Sequence, residues 1–480
     1  MSVRPGVSIT LRSTPPPRSA PTDTGVWYVV GVTEAGPLVP SLVRSLGDYT
    51  RIFGARVAYG ALYDSLELFF REGGERAYVS RVVGPAPVNA SRNLLDASSG
   101  ISLVASAIGP GSYGNNISVG VRAGVTSGSF VVFVTSGSVE VETSPDLQDN
   151  VTAVQWAETS NYIRLALGAS ANDPAVAAAA VLSGGNDDRA NITDAQWATA
   201  LDRFVADYGI GQISAPGQTS DVRHLQVLNN AADTFRTAIL DAPDTATSGT
   251  LLSSAAGARA GDQKFGGMFA PWLVVPGLAT GTSRVVAPSG HVAGNLARND
   301  ASGIGVAVPA AGDRGESSFA TAISQPAWAE STRQALNDGG VNVIIDRFGA
   351  IRTYGWRSLV DPVLDPDWVD LGHSRLFMAI AGESAAVGES FLFDEIDGQG
   401  KLISDFGAAL TAMLMRFWQS GDLYGATASE AFFVDVGSTV NTPESLAQNT
   451  LKAVLNVRMS PFAEYIPIEI VKTSITESVR

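Results

Sequence analysis

Hydrophobic residues occupy every second position near both ends of the chain, a period of two that predicts extended strands with one apolar face. These residues are Val7, Ile9 and Leu11 in the first strand, and Ile466, Ile468 and Ile470 in the second. Pro467 has no N–H to donate, so the second strand is predicted at a sheet edge or a strand end. A stiff spacer, Thr14-Pro15-Pro16-Pro17, follows the first strand. We therefore expect both strands at the rim of a globular body, where each folds back or pairs with another molecule, and we favour pairing.

Hydrophobic patterning between the two ends predicts a sheet-based α/β domain. Gly25–Val32 is continuously apolar, as in a buried strand. Tyr59–Arg71 has apolar residues at helical spacing and is followed by the glycine stop Gly73-Gly74. Ala77–Val83 is predicted as the next strand, so these segments form one β–α–β unit.

From about residue 99 to residue 183, short β segments separated by Ser/Gly turns replace this pattern. Ser129–Val134, Ser138–Glu142 and Asn161–Leu167 are predicted strands. The first strong helix of the region is predicted only at Pro174–Val181. We interpret residues 99–183 as an inserted all-β module.

The α/β pattern returns after the insert. Thr193 and Gln196 fit a capping box, because a hydroxyl at the N-cap and an amide three residues later satisfy each other's backbone donors. Phe235–Asp241 and Met268–Val275 are predicted as buried strands. Residues 21–98 and 184–350 are therefore predicted to form one discontinuous domain around the insert.

The last part of the chain combines strands with one long helix. Val341–Trp356 predicts two strands around a tight turn at 347–349, and Ala431–Val436 predicts another strand. A regular apolar stripe from Leu402 to Phe417 predicts an amphipathic helix. The predicted boundaries are 351–460 for this C-terminal α+β domain, 1–20 for the N-terminal arm and 461–480 for the C-terminal arm.

Composition narrows the classes of function. With 480 residues, 45% of them hydrophobic and only 16% charged, the chain is expected to fold into several domains with much buried surface. Its 32 basic and 47 acidic residues give a net charge of −15, which argues against non-specific nucleic-acid binding. The absence of cysteine excludes disulfides, thiolate zinc sites and thiol catalysis. No apolar run approaches the ~18 residues that would span a membrane, so membrane insertion is not expected.

The sequence offers little chemistry for catalysis or cofactors. Its three histidines, His224, His291 and His373, are far apart and form no HExxH or HxH pair, so no metal site is expected. No phosphate-binding GxxxxGK[ST] loop occurs, and no cofactor is predicted. The aspartates around Pro362 and Pro366 do not have the spacing of a calcium loop and are interpreted as a solvated turn.

One segment resembles part of a serine-protease signature. Ser289–Gly294 (SGHVAG) is similar to the HGTHVAG of subtilisin-type enzymes, and Ser283 resembles their nucleophile. Pro288 stands where that signature has its catalytic histidine, and a proline cannot accept a proton. We therefore expect His291 to be a residue at a helix start that is hydrogen-bonded locally.

Short motifs follow one another in order along the whole chain. They are PGV at 5–7, FFREGG at 69–74, AYVSRV at 77–82, GSYGNNISV at 111–119, LSGGN at 182–186, PSGHVAGNLARND at 288–300, VN at 341–342, YGW at 354–356, GDLYG at 421–425 and the alternating ending at 461–470. Taken together and in this order, these segments resemble the contractile tail sheath family of bacteriophages and related injection machines. In the VN…WGxRT pattern of that family, this chain has Arg357-Ser358 where Arg-Thr is usual.

The resemblance implies a fold and a function. It implies a subtilisin-like α/β domain without a catalytic triad, an inserted β-sandwich, an α+β C-terminal domain and extended terminal strands that complete sheets in neighbouring subunits. It also implies stacked hexameric rings around an inner tail tube, with baseplate and tail terminator proteins as further partners, and contraction that drives the tube through the host envelope. Such a sheath belongs to the virion and is assembled in the host bacterial cytoplasm.

Other functions remain open on the sequence alone. The same sheath would serve a phage-like bacteriocin or an extracellular injection system. An active subtilisin-like hydrolase would need a base near Ser283. A β-rich surface-array or adhesion protein would also account for the acidic charge and the lack of cysteine.

Overall fold

The computed structural model describes residues 23–260 and 263–463, and these divide into two compact units. The first unit runs through Ser390 and the second begins at Phe391. The first unit opens with the predicted β–α–β unit, in which β1 and β3 pair in parallel with Trp27 opposite Ala77. Its elements are β1 (Trp27–Gly31), β2 (Ser41–Val43), α1 (Leu46–Phe53), α2 (Leu62–Arg71) and β3 (Ala77–Arg81).

The next segment forms two antiparallel sheets, β4-β5-β9 and β10-β6-β7-β8, that share one hydrophobic cluster. Its two ends are hydrogen-bonded neighbours, since the Gly84 N–H donates to the Asp187 carbonyl at 2.8 Å. The elements are β4 (Ser91–Leu95), β5 (Ile101–Ala107), β6 (Ile117–Ala123), β7 (Phe130–Ser136), β8 (Val139–Thr143), α3 (Asn150–Ala157), β9 (Ile163–Leu167) and β10 (Ala177–Val181).

Two expectations for this segment were wrong. The predicted helix at Pro174–Val181 is strand β10, which pairs with β6. Alanine favours helices, but the hydrogen bonds offered by β6 outweigh that weak local preference. A helix that the sequence pattern missed, α3, begins at the capping box formed by Asp149 and Thr152.

The remainder of the first unit completes the main sheet. The predicted strand Met268–Val275 is in fact two strands that belong to different sheets, because Pro271 lies between them and has no N–H for a ladder. The elements are α4 (Asp194–Asp202), β11 (Gly211–Ser214), α5 (Asp221–Asp233), β12 (Arg236–Asp241), α6 (Ser248–Ala258), β13 (Gly266–Ala270), β14 (Leu273–Pro276), β15 (Ser283–Val286), α7 (Ser289–Ala301), β16 (Ala322–Ile323), α8 (Glu330–Asp338), β17 (Val341–Arg347), β18 (Ala350–Thr353) and α9 (Leu371–Glu389).

Within the described residues, the main sheet has eight strands in the order β18-β17-β13-β12-β11-β1-β3-β2. The strands from β17 to β3 are parallel, and the two edge strands are antiparallel to their neighbours. Side chains from α4, α5, α6 and α8 form a cluster on one face, and those from α1, α2 and α7 form a cluster on the other. Helices on both faces are the usual way in which a parallel sheet is buried, so this unit is a mixed α/β layer structure.

The second unit is smaller and is organised on one helix. Its predicted amphipathic stripe is the buried face of α10, which packs on β19, and β19 pairs with β20 in antiparallel fashion. The predicted domain boundaries stay predictions. The division between the compact units comes after Ser390, so α9 belongs to the first unit, where it packs on β12 and β13. The elements are α10 (Lys401–Gln419), α11 (Ala428–Ala431), β19 (Phe432–Asp435), α12 (Pro443–Ala447) and β20 (Val454–Val457).

Two glycines allow α7 to lie directly against α2. A Cβ added at Gly290 would lie 2.3 Å from the Ser65 carbonyl oxygen. A Cβ added at Gly294 would lie 2.6 Å from the Glu72 Cβ and 2.7 Å from the Phe69 carbonyl oxygen. Because these neighbours include backbone atoms that cannot rotate away, the two helices would have to separate.

We expect Gly294→Ala to lower the free energy of unfolding by about 1–3 kcal/mol, the usual cost of forcing extra volume into a packed interior. Gly388→Ala is the matched control, since Gly388 is also helical but a Cβ there meets nothing within 4 Å. That control should leave stability unchanged or slightly higher. Chemical denaturation of both variants measures the difference, and equal stabilities would contradict the close crossing.

Candidate functional site

The six residues predicted to form intersubunit strands lie outside the described part of the chain, so their roles stay predictions. They are Val7, Ile9, Leu11, Ile466, Ile468 and Ile470. The described residues instead contain two features to weigh as functional sites. One is a buried polar cluster around the protease-like segment, and the other is an open pair of strands in the second unit.

His291 lies near the start of α7, as predicted for a helix-start residue, and is fully buried, but its contacts are not only local. Its Nδ1 lies 3.2 Å from Glu72 Oε1, and its Nε2 lies 3.3 Å from Thr353 Oγ1. Asn295, one turn along the same helix, adds a contact at 3.2 Å from Nε2. The imidazole therefore joins α7 to the end of α2 and to β18, which are distant in sequence.

The Glu72 carboxylate is fully buried and is surrounded by donors. Ser317 Oγ donates to it, the Ser318 N–H donates at 2.9 Å, and the Arg298 guanidinium lies 3.7 Å away. Burial by itself raises the pKa of Glu72, but the hydrogen bonds from His291, Ser317 and Ser318 outweigh it and hold the pKa below its ordinary value. Glu72 is thus a charged structural anchor with its acceptor oxygens occupied.

Asp241 is a second buried carboxylate, at the end of β12. It accepts hydrogen bonds from the Ser289 N–H at 2.8 Å, from Ser289 Oγ at 2.9 Å and from the Gly217 N–H at 2.9 Å. Burial raises the pKa of Asp241 to about 6, and these three hydrogen bonds only partly oppose that effect. The carboxylate sits at the N-terminus of α7, where the helix dipole favours negative charge.

This arrangement does not provide a serine nucleophile with its base. Ser283 is exposed on β15. The Ser289 hydroxyl donates a hydrogen bond to a carboxylate oxygen of Asp241. His224 Nε2 faces the Asp241 carbonyl at 3.0 Å, and the described partners of His291 include no serine. A nucleophilic serine needs an imidazole or another base within hydrogen-bond reach. Within residues 23–260 and 263–463, no group of three or more His, Asp or Glu side chains could hold a metal ion.

Glu72 and Asp241 were missed by reasoning from the sequence, although each has a local signal. Glu72 stands between the apolar stripe of a helix and its glycine stop, where a solvated residue is the ordinary expectation. Asp241 ends a predicted buried strand of a parallel sheet, which is a common place for a polar group to be enclosed. Neither signal identifies the partners, because these come from segments far along the chain.

The β19–β20 pair in the second unit is an open two-stranded sheet. Phe432 opposes Val457 and Asp435 opposes Val454, and neither strand has a third strand beside it among the described residues. One face packs on α10, whereas Phe433 on the other face is exposed. Two strands alone are marginally stable, and their unpaired N–H and C=O groups can accept a further strand.

In the described part of the chain no helix is both long and apolar enough to span a membrane.

Comparison with known proteins identifies solved structures that share this fold. No family model and no curated protein matches the sequence. The sheath tail protein of Listeria innocua aligns at 14% identity over 88% of this chain and 90% of its own, with a TM-score of 0.60. The contracted helical sheath of the anti-feeding prophage aligns at 17% identity over 98% and 100%, with a TM-score of 0.55. The contracted sheath of PVC, an extracellular contractile injection system, aligns at 16% identity over 98% of both chains, with a TM-score of 0.55.

At these identities the comparisons establish the fold. The chain has the mixed α/β fold of contractile tail sheath proteins, which confirms at the level of structure the resemblance seen in the sequence motifs. The alignments cover 88–98% of this chain and 90–100% of the chains compared.

Replacing Glu72 should change how stability depends on pH. Because its folded-state pKa is lowered, Glu72 stabilises the fold above the ordinary carboxyl range and loses this effect as the pH falls through the lowered pKa. We expect Glu72→Gln to cost on the order of 3 kcal/mol at pH 7, since it leaves buried donors mismatched. The difference from the native protein should shrink below about pH 4. Denaturant titrations at several pH values test this, and a constant difference would contradict it.

Asp241 should show the opposite sign. A carboxyl whose folded-state pKa is raised to about 6 stabilises the fold below the ordinary value of 3.8, and this contribution is lost as the pH rises through about 6. We therefore expect the stability of Asp241→Asn, relative to the native protein, to increase between pH 4 and pH 7. Asp207→Asn, at an exposed position, is the control and should show no such trend. A parallel pH profile for native and Asp241→Asn proteins would exclude the raised pKa.

Proposed function

We propose that this chain, which has the fold of contractile tail sheath proteins, is the structural subunit of a contractile sheath. The observation that carries the proposal is that the likeness covers 98% of this chain and 98–100% of the chains of two contracted sheaths. A shared fold alone leaves function open. Here the ordered sequence motifs and the absence of an assembled catalytic group among the described residues point in the same direction. In this proposal subunits form stacked hexameric rings around an inner tube and contract to drive it through an envelope.

Exchanged strands are the proposed links between subunits. The open β19–β20 pair is a suitable receiving sheet, because an incoming strand would satisfy its free backbone groups. Burying Ile466, Ile468 and Ile470 would contribute roughly 5–9 kcal/mol at about 1.5–3 kcal/mol each. Ordering the arm costs about 1–2 kcal/mol per residue, so the link is stable only when that apolar face is buried. An exposed ion pair, at about 0–1 kcal/mol, could not replace it.

The proposed fold description is a subtilisin-like α/β domain that is not an enzyme, with a β-sandwich insert and an α+β C-terminal domain. The buried polar groups support a structural role, since Glu72 and Asp241 both hold α7 in place through occupied hydrogen bonds. A fluorophosphonate probe, which labels activated serines, should therefore leave the protein unlabelled.

The proposed partners are neighbouring sheath subunits, the inner tube protein, and baseplate and tail terminator proteins, with no nucleic acid and no membrane insertion. The assembly would form in the bacterial cytoplasm and reside in a virion. An extracellular injection system or a phage-like bacteriocin is the alternative setting. It is favoured by one observation, the alignment of the sheath of an extracellular contractile injection system along 98% of this chain.

Negative-stain electron microscopy of the purified protein tests the proposal directly. Native protein should form hollow cylinders, whereas protein without residues 1–18 should remain folded and unassembled. The first strand contains Val7, Ile9 and Leu11, so its removal takes away one of the two proposed links. Long tubes formed by the truncated protein would show that this arm links nothing, and lattices or monomers of native protein would overturn the sheath function.

The second arm can be tested by one substitution. Ile468→Asp should abolish tubes and leave the melting temperature unchanged, because a charge would enter an apolar face that is buried only on assembly. Val471→Asp makes a similar change on the opposite face of the predicted strand and should have the smaller effect. A thermal melt of Ile468→Asp followed by circular dichroism that shows collapse would instead assign this strand to its own subunit.

A further inference from the structure

The turn between β17 and β18 has a phenylalanine in a backbone conformation that this residue type rarely adopts. Phe348 has φ 56° and Gly349 has φ 79°, so both central residues lie in the left-handed region. Asn, Asp or Gly normally occupy the first of these positions, because a bulky side chain is strained there. The Phe348 side chain is 91% exposed and therefore gains little from packing in its own subunit. Strain of this kind persists when a residue is needed for another purpose.

Neighbouring side chains hold this tip as a basic and aromatic surface. The Arg347 guanidinium lies 5.4 Å from the Phe348 ring centre and 4.9 Å from the ring centre of Tyr354. Arg347 also donates a hydrogen bond to the Tyr354 hydroxyl. Asp346 is the preceding residue of β17, so it points to the opposite face of the strand. Arg and aromatic side chains fixed in this way at a surface are typical anchors of protein interfaces.

A second exposed apolar feature has the opposite charge. In the acidic loop, defined as residues 359–370, Val363 is 85% exposed and Leu364 is 83% exposed. The loop contains Asp361, Asp365, Asp367 and Asp370 and no lysine or arginine. It is held in a tight turn, because the Asp365 N–H donates to the Asp361 carbonyl at 2.9 Å.

These two features lie at opposite ends of the main sheet. The Leu359 N–H donates to the carbonyl of Gly266, the first residue of β13, at 3.1 Å, which places the acidic loop where the parallel strands begin. The Arg347–Phe348 tip begins at the last residue of β17, where the parallel strands end. At about 3.3 Å per residue, β17 separates the two ends by roughly 20 Å. The tip of one copy therefore cannot contact the acidic loop of the same copy.

We propose that the Arg347–Phe348 tip of one subunit docks on the acidic loop of a second copy of this chain. The charges are complementary, and both surfaces expose large apolar side chains at their centres. Such a contact joins two different surfaces, so it is head-to-tail and repeats into a ring or a helical filament. The inference rests on the proposed self-assembly and adds a body-to-body contact that requires no exchanged strand.

Cross-linking tests this contact cleanly because the chain contains no cysteine. Phe348→Cys and Leu364→Cys proteins, carrying tags of different size, are mixed and treated with a short bismaleimide. We expect dimers containing one copy of each to exceed dimers of either protein alone at least tenfold. Val125→Cys, whose native side chain is 99% exposed in the first unit, replaces Phe348→Cys in the control and should give no such excess. Equal yields from Phe348→Cys and Val125→Cys would overturn the proposal.

A charge exchange separates this inference from the sheath function. Arg347→Glu, added to Phe348→Cys, should reduce mixed dimers about tenfold, and Asp365→Arg, added to Leu364→Cys, should restore them. Tubes without the mixed cross-link would overturn the head-to-tail contact and leave the sheath intact. Mixed cross-links without tubes would leave the contact intact and overturn the sheath. Phe348→Asn should melt no lower than native protein, and a lower melting temperature would mean that Phe348 serves its own fold.

Discussion

The buried charge of Glu72 is the interaction on which the geometry of the first unit depends. A carboxylate removed from water is costly unless every acceptor site is occupied. His291, Ser317 and Ser318 supply the donors, and they come from a helix and a loop far from Glu72 in sequence. The same helix is fixed at its first residue by Asp241. Because both carboxylates must find their partners together, α7 has one permitted position against α2 and the main sheet.

This fixed interior fits the role proposed for the chain. A subunit that changes its packing during contraction needs a body whose own contacts stay the same, and the polar cluster and the glycine-mediated crossing of α2 and α7 supply such a body. The features proposed to contact other subunits lie elsewhere, in the arms, in the open β19–β20 pair, and at the two ends of the main sheet. In the proposed assembly, rigidity and connection would be carried by different residues, so that neighbouring subunits could move without partial unfolding.

Much of the fold could be predicted from local patterns, and the failures have physical causes. Helical spacing identified α2 and α10, and the capping box at Thr193 identified α4, because these signals lie within one element. Ala177–Val181 was assigned to a helix since its preference is weak and its pairing with β6 is decided by a distant segment. The partners Glu72 and Thr353 of His291 were not predictable either, because they also come from segments far along the chain. The two terminal strands were predicted from their alternation and lie outside the described residues, so their proposed role in linking subunits stays a prediction.

The insert between β3 and α4 has a further consequence for how this fold can vary. Its two ends meet at the hydrogen bond from the Gly84 N–H to the Asp187 carbonyl. The chain therefore leaves and re-enters the α/β domain at nearly the same point, whatever the length of the insert. The entropy of closing a loop rises only slowly with its length. Residues added to or removed from the far side of this module would therefore leave the register of β1, β3 and β11 unaffected, and the surface of the module could diversify while the main sheet stays constant.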